Sequence, residues 1–236
     1  MRIWHISDTH GLHAQLSEPQ ADMVIHTGDW TFSRKLAKNC AEHNSFMEWF
    51  SGLRAPYKIC VPGNHDFAVT ECSKEEAPIP DNVTLLVDEG IEIEDLYIVG
   101  VPWTRRWGRW VYQVEDEYQL ANKFNRHSNG IIDVLATHGP PSGFLDERAD
   151  GQFVGSTALR DFIFEQKVRA TLCGHVHNEH EVINTGVIPI SPRGQIVSNG
   201  AVVSNTSCRL FTGNLIDITE GQEILYTPGK FIETEF

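Results

Sequence analysis

Five short apolar segments of this chain each end directly at residues that can bind a metal ion. The loops that follow them are Asp8-Thr9-His10, Gly28-Asp29, Gly63-Asn64-His65-Asp66, Thr137-His138-Gly139 and Gly174-His175-Val176-His177. In a sheet of parallel strands, the loops at the carboxyl ends lie along one edge, and ligands bind there. The neighbouring glycines allow the backbone to turn sharply and to approach closely. We therefore expect the five loops to converge on one point.

The pattern between these loops favours a layered α/β fold that contains parallel strands. Residues 2–6, 23–26 and 57–61 are short β-rich runs without polar alternation, as in buried parallel strands. Residues 34–53 have a loosely helical spacing of apolar side chains. Further strands are predicted at 83–87, 91–93, 96–101, 132–136, 169–173, 181–184, 187–190, 195–198, 208–212, 215–218 and 223–227, and further helices at 115–127 and 157–166. The many short strands of the C-terminal half indicate a second sheet packed on the first.

No internal repeat, low-complexity tract or Ser/Gly linker divides the chain, so we predict a single domain over residues 1–236. The formal net charge of −13 argues against duplex nucleic acid as a partner. No segment is long and apolar enough to span a membrane, and the N-terminus has no signal-peptide pattern, so we expect a cytoplasmic protein. The oligomeric state stays open.

The five cysteines are scattered and include no C-x-x-C pair. This spacing argues against a disulfide framework and against a thiolate zinc site. We expect buried thiols at all five positions, which are Cys40, Cys60, Cys72, Cys173 and Cys208.

The residue types in the five loops constrain the metal. Carboxylates, one amide oxygen and imidazoles, without a thiolate, suit divalent Mn, Fe or Zn. The seven candidate ligands are too many for one catalytic ion and suit two ions that share a carboxylate; they are Asp8, His10, Asp29, Asn64, His138, His175 and His177. We expect two divalent ions as cofactors, with Mn favoured. Such a pair can bind phosphoryl oxygens and supply hydroxide for in-line attack.

The order of the motifs D-x-H, G-D, G-N-H-D, a later H and G-H-x-H resembles that of the calcineurin-like metallophosphoesterase superfamily. Ser7-Asp8-Thr9-His10, Thr137-His138-Gly139-Pro140-Pro141 and Asn205-Thr206-Ser207-Cys208 are similar to its branch of small metallophosphoesterase-domain proteins related to cyclic-nucleotide phosphodiesterases. This resemblance runs nearly end to end. It implies a layered sandwich of two mixed β-sheets flanked by helices, and a metal-dependent phosphoesterase activity.

The resemblance also implies a role for each residue of the site. Asp8, His10, Asp29 and His177 would hold one ion, while Asp29, Asn64, His138 and His175 would hold the other, with Asp29 as the bridge. His65 matches the catalytic histidine of the family, which contacts a phosphate oxygen or protonates the departing alkoxide. Asp66 would assist catalysis by orienting His65 or a neighbouring ligand.

One position departs from the Ser/Thr protein phosphatase branch of the superfamily. In that branch an aspartate three residues after the bridging aspartate supports the catalytic histidine, and an arginine follows it. This chain has Phe32 and Ser33 there. Phosphodiesters are therefore the favoured substrates, with phosphomonoesters or a phosphoprotein as the alternative. A catalytically silent metal- or nucleotide-binding scaffold is a further alternative, although a silent member is expected to lose a ligand or His65.

One segment of this acidic chain is both basic and aromatic: Trp103, Arg105, Arg106, Trp107, Arg109 and Trp110. Aromatic rings can stack on nucleobases and arginines can bind phosphate, so Arg105, Arg106 and Arg109 are candidate contacts for a small phosphorylated substrate. A packed aromatic loop with solvated arginines is the equal alternative.

The remaining histidines are expected to be structural. His5 and His26 lie in predicted strands, where a core or ligand-supporting role is expected. We place the others at the surface, and these are His13, His43, His127 and His180. Of these, His13 is the candidate for facing substrate.

Overall fold

The computed structural model describes residues 1–128, 130–148, 150–177, 184–191, 200–206, 211–219, 222–230 and 232. The strands are β1 (Arg2–Ile6), β2 (Met23–His26), β3 (Tyr57–Cys60), β4 (Thr84–Leu85), β5 (Glu89–Ile93), β6 (Leu96–Val101), β7 (Thr104–Arg105), β8 (Gln113–Val114), β9 (Val134–Thr137), β10 (Ala170–Cys173), β11 (Gly186–Ile190), β12 (Ala201–Asn205), β13 (Asn214–Asp217) and β14 (Leu225–Thr227). The α-helices are α1 (Leu36–Ser51), α2 (Ala68–Glu71), α3 (Glu117–Phe124) and α4 (Thr157–Gln166), and short 3-10 turns lie at His13–Gln15 and Asn125–His127.

Two mixed sheets form the centre of the fold. The first has the strand order β14-β13-β1-β2-β3-β4, in which β1 to β4 are parallel and β13 and β14 are antiparallel to their neighbours. The second has the order β11-β12-β10-β9-β6-β5, with β12, β10, β9 and β6 parallel. Strands β7 and β8 pair separately. The predicted mixed sheets are confirmed.

The side chains of successive strand residues point into different layers. Ile3 of β1 packs between the sheets with residues such as Ile98 and Leu172 of the second sheet. Its neighbour Trp4 points the other way and packs with Phe46 of α1. Helices α3 and α4 cover the outer face of the second sheet. These layers are a sandwich of two sheets flanked by helices, as predicted.

The differences from the predicted elements have physical causes. Strand β12 was not predicted, because its last residues, Ser204 and Asn205, are polar; both are buried and hydrogen-bonded, Ser204 to His5 across the sandwich and Asn205 to the backbone of Leu145. Predicted helix 115–127 ends as a 3-10 turn from Asn125. The predicted strands at 181–184, 195–198 and 208–212 fall wholly or largely outside the described residues.

Two of the four histidines expected at the surface are buried. His13 packs against the rings of Phe46 and Trp49, and His43 accepts a hydrogen bond from Trp30. Both predictions were wrong because α1 covers His13 with Phe46 and Trp49, and because His43 lies on the inward face of α1 itself. His5 and His26 lie in the core as expected, His127 is half-buried, and His180 lies outside the described residues.

The cysteine prediction was wrong at two positions. Cys40 of α1 and Cys72, just after α2, form a disulfide because these helices pack side by side, although the two residues are 32 positions apart. Cys60 and Cys173 are buried thiols, and Cys208 is outside the described residues. None of the described helices combines the length and the apolar character that a membrane crossing requires.

Two glycines allow the loops at the strand ends to meet. Gly63, after β3, lies against Asp29 and His138. Gly174, after β10 in the second sheet, lies against Ser7 and Asp8, which follow β1 in the first sheet. An added methyl group at either position would overlap these atoms. The direct contact between the two sheets at this edge therefore requires residues without a side chain at positions 63 and 174.

We predict that Gly174→Ala lowers the free energy of unfolding by about 1–3 kcal/mol, because overpacking forces a shift of neighbouring atoms. Urea denaturation measures this change. Gly130→Ala is the matched control, since a methyl group there meets no described atom within 4 Å. Equal stability of the two variants would contradict the close contact at Gly174.

Candidate metal centre

Two groups of candidate metal ligands lie side by side at the edge where the parallel strands end. One consists of Asp8, His10 and His177, and the other of Asp29, His138 and His175. Within each group the candidate ligand atoms all lie within 4.8 Å of one another. Asn64 adjoins the second group, since its Oδ1 is 3.0 Å from Nε2 of His138. The structure thus brings together all seven residues that the sequence singles out.

Four of these residues have a left-handed backbone. The φ angles are 52° at Asp8, 44° at His10, 59° at Asp29 and 73° at His175. Such a conformation costs a non-glycine residue on the order of 1–3 kcal/mol and concentrates at functional sites. Backbone hydrogen bonds hold it, because the Asp8 N–H donates to the Gly28 carbonyl and the His10 N–H to the Asp29 carbonyl. The sharp turns point the side chains at a common centre.

Backbone carbonyls orient two of the imidazoles. His10 Nδ1 lies 2.9 Å from the Thr31 carbonyl, and His138 Nδ1 lies 2.8 Å from the Thr27 carbonyl. A carbonyl oxygen only accepts, so each Nδ1 carries a proton. Nε2 of His10 then presents a lone pair, and Nε2 of His138 would do so once a bound metal ion displaces its proton. This is the arrangement by which proteins orient metal-binding histidines.

Unpartnered polar atoms mark the first group as a place for a cation. Asp8 Oδ1 and His10 Nε2 are buried, 3.9 Å apart, and have no hydrogen-bond partner among the described residues. Burial of such atoms without a partner is costly. In the second group, His138 Nε2 lies 3.1 Å from His175 Nδ1 and 3.3 Å from Asp29 Oδ2. Converging nitrogen and carboxylate donors fit divalent ions such as Mn, Fe or Zn.

The pKa values of these groups agree with a site built for positive charge. Burial lowers the pKa of His10 to about 4 and that of His175 to about 3, which keeps both imidazoles neutral. Burial also disfavours a charge on His138, but the Asp29 carboxylate outweighs this and raises the pKa of His138 to about 9. Although burial raises the pKa of Asp29, the neighbouring histidines lower it well below its usual value. The Asp29 carboxylate therefore attracts a positive partner.

His65 lies at the open side of the two groups. Its Nε2 is 3.9 Å from Asp29 Oδ2, its ring is 4.9 Å from that of His10, and 17% of its side chain is exposed. This position allows the imidazole to reach a molecule bound at the ligands.

Asp66 is buried, and its side chain forms hydrogen bonds with backbone groups. Its carboxyl oxygens accept hydrogen bonds from the N–H groups of Asp29, Gly63 and Thr31, at 2.7 to 3.0 Å, and from the Thr31 hydroxyl. Burial and the charge of Asp29 raise the pKa of Asp66 to about 8. The contacts of Asp66 support the loop of a candidate ligand rather than the His65 imidazole.

The candidate substrate arginines lie in different places. Arg105 and Arg106 line a cavity of about 210 Å³ together with His175 and His177. Arg109 lines a separate hollow beside Trp110. The cavity also contains Arg148, which no sequence motif marked; its guanidinium lies 4.5 Å from the ring of Trp107.

Sequence reasoning also missed Asn39. The Nδ2 of this fully buried residue lies 2.8 Å from each of three acceptors, the carbonyls of Ser33 and His65 and the Thr31 hydroxyl, which share its two hydrogens, and its Oδ1 accepts from the Ala68 N–H. A polar residue on the apolar face of a predicted helix was the signal that could have identified it.

Comparisons with known proteins agree with this geometry. A profile of calcineurin-like phosphoesterases matches residues 1–179. Human metallophosphoesterase domain-containing protein 1 is 29% identical over 206 residues, which cover 77% of this chain and 62% of the human protein. The 3',5'-cyclic adenosine monophosphate phosphodiesterase CpdA of Escherichia coli is 30% identical over 167 residues, which cover 67% of this chain and 55% of that protein. The chain thus spans less than two thirds of either relative.

Solved structures share the fold. One aligns over 97% of this chain and 99% of its own, with a TM-score of 0.67 and 14% identity. Another, TT1561 of Thermus thermophilus, aligns over 96% and 98%, with a TM-score of 0.54 and 10% identity. At such identities the likeness concerns the fold alone. The profile match covers more than half of the chain, and the chain therefore belongs to the calcineurin-like phosphoesterase family.

Proposed function

We propose that this chain hydrolyses phosphodiesters of small, nucleotide-type substrates with a pair of divalent metal ions. The observation that carries the proposal is the pair of adjacent ligand groups, in which Asp8 Oδ1 and His10 Nε2 are buried without a hydrogen-bond partner among the described residues. Membership of the phosphoesterase family supports it. So does the likeness to CpdA proteins that are named cyclic-nucleotide phosphodiesterases.

The seven ligands divide between the two ions. Asp8, His10 and His177 would hold one ion, Asn64, His138 and His175 would hold the other, and Asp29 would be shared by both. Two divalent ions bound there supply Lewis acidity, which activates water near neutral pH and offsets phosphoryl charge.

The His65 imidazole is the proposed acid. From its Nε2, beside Asp29, a protonated ring can donate to a non-bridging phosphoryl oxygen or to the departing alkoxide. Asp66 keeps the Asp29 loop in place through its four hydrogen bonds.

The cavity beside His175 and His177 is the proposed substrate site. Arg105, Arg106 and Arg148 line it, each beside a carboxylate, of Glu117, Glu115 and Asp150 respectively, so a bound phosphate would compete with these ion pairs. The ring of Trp107 is 61% exposed. The cavity volume of about 210 Å³ is too small for a duplex. Arg109, which lies in the other hollow, is left with a peripheral role.

We predict that the Mn-loaded protein hydrolyses bis-p-nitrophenyl phosphate faster than p-nitrophenyl phosphate. EDTA removes this activity and added Mn restores it, since the ions activate the nucleophile. A panel of 2′,3′- and 3′,5′-cyclic nucleotides then identifies the preferred substrate. Faster monoester hydrolysis would favour the phosphomonoesterase alternative. No turnover on diester or monoester with Mn, Fe or Zn would refute the enzyme proposal.

For Asp29→Ala we predict loss of both ions, because a shared carboxylate supports each. Elemental analysis of the purified variant gives the ratio of metal to protein. Asp161→Ala, at an exposed aspartate, is the control and keeps wild-type metal content. Normal metal content in Asp29→Ala would rule out the bridging role.

For His65→Ala we predict a fall in kcat of about 10²–10⁴-fold, the usual contribution of general acid–base catalysis. Both ions are retained, because His65 is not among the ligands. Steady-state kinetics and elemental analysis of the same preparation test this. If the variant lost a metal ion, His65 would be a structural residue instead.

A further inference from the structure

We propose that Glu42 positions the His65 imidazole through the peptide group that joins Phe32 to Ser33. The inference rests on the proposed catalytic role of His65. It concerns a carboxylate on α1 that does not touch the imidazole, so Glu42 is a positioning residue.

The first contact in this series is made by the imidazole itself. His65 Nδ1 lies 3.3 Å from the Phe32 carbonyl oxygen. Because that oxygen only accepts, Nδ1 carries the proton. The remaining nitrogen, Nε2, faces Asp29, and it is therefore the position that takes up the second proton, which the ring then donates to a bound ester. The carbonyl therefore selects both the tautomer and the rotation of the ring.

The second contact lies on the other side of the same peptide group. The Ser33 N–H donates to Glu42 Oε2 at 2.9 Å, and the Phe32 N–H donates to the same oxygen at 2.8 Å. No cis peptide bond is present among the described residues, so the Phe32 carbonyl and the Ser33 N–H point in opposite directions. A hydrogen bond to a carboxylate is strong, and it polarises the peptide so that its carbonyl accepts more strongly.

The peptide is held firmly between these partners. Glu42 is mostly buried, with 17% of its side chain exposed, and its other oxygen lies 3.7 Å from Lys38 Nζ. Asn39, three residues earlier on α1, binds the Ser33 and His65 carbonyls at 2.8 Å each. Helix α1 thus holds both the loop that carries Ser33 and the loop that carries His65.

Two aromatic rings limit the tilt of the imidazole. The Phe32 ring is nearly parallel to it at a centroid distance of 5.9 Å, and Trp110 lies at 4.1 Å. The Arg34 guanidinium lies 3.7 Å from the Trp110 ring. The aromatic contacts restrain the plane of His65, and the carbonyl restrains its rotation within that plane.

The test is a set of Glu42 variants in two backgrounds, assayed with Mn and bis-p-nitrophenyl phosphate. We expect Glu42→Ala to lower kcat about tenfold with little change in KM, since misplacing a catalytic group by an ångström costs on the order of 10²-fold. Glu42→Gln retains an acceptor oxygen and should stay within about threefold of wild type. Glu48→Ala removes an exposed carboxylate from the same helix and serves as the matched control.

The His65→Ala background separates positioning from general loop stability. There, Glu42→Ala should change kcat by less than about twofold, because residues that act as a unit are not additive. A tenfold fall in that background, or loss of metal from Glu42→Ala, would overturn the proposal.

A nuclear magnetic resonance spectrum of the imidazole nitrogens in EDTA-treated protein tests the contact without activity. We expect His65 to be the Nδ1-protonated tautomer in wild type and a mixture in Glu42→Ala. The same tautomer in both would overturn the proposal even if the protein is an active enzyme. A wild-type rate for His65→Ala would instead refute the catalytic role of His65 and leave this spectrum as the test of the contact.

Discussion

The candidate metal centre depends on the packing of two sheets whose parallel strands end at the same edge. Strands β1, β2 and β3 of one sheet and β9 and β10 of the other each deliver a short loop there. The apolar layer between the sheets fixes their relative position, and Gly174 allows the loops after β1 and β10 to come into contact. The left-handed backbone at Asp8, His10, Asp29 and His175 is tolerated because the surrounding packing holds it in place.

Burial of charge is the second constraint on the site. Asp8 and Asp29 are almost wholly removed from solvent, and burial lowers the pKa of the neighbouring His10 and His175 so that both stay neutral, whereas the pKa of His138 beside Asp29 is raised. Two buried carboxylates with so few positive neighbours are costly on their own, and a bound cation offsets that cost. A metal ion bound at this edge of the sandwich would therefore also stabilise the fold.

The sequence located those candidate functional residues that directly follow a strand. The five loops could be located because each follows a short apolar run, and the fold class followed from the same runs. Residues that act across the tertiary structure left a weaker signal. Asn39 reaches the His65 loop only because α1 packs against the first sheet, and Arg148 reaches the cavity by a loop with no motif. The disulfide of Cys40 and Cys72 likewise depends on helix packing, which spacing along the chain does not encode.

The position of Glu42 has a physical rationale in the same crowding of charge. A carboxylate in direct contact with His65 would place a third acidic side chain beside Asp29 and Asp66, where burial already raises the pKa of Asp66 to about 8. Glu42 instead stands behind a neutral peptide and has Lys38 as a partner for its second oxygen. The imidazole therefore receives a polarised acceptor without a new buried charge at the metal edge. Position 32 therefore does not need an acidic side chain and is occupied by Phe32, whose ring helps to hold His65 in place.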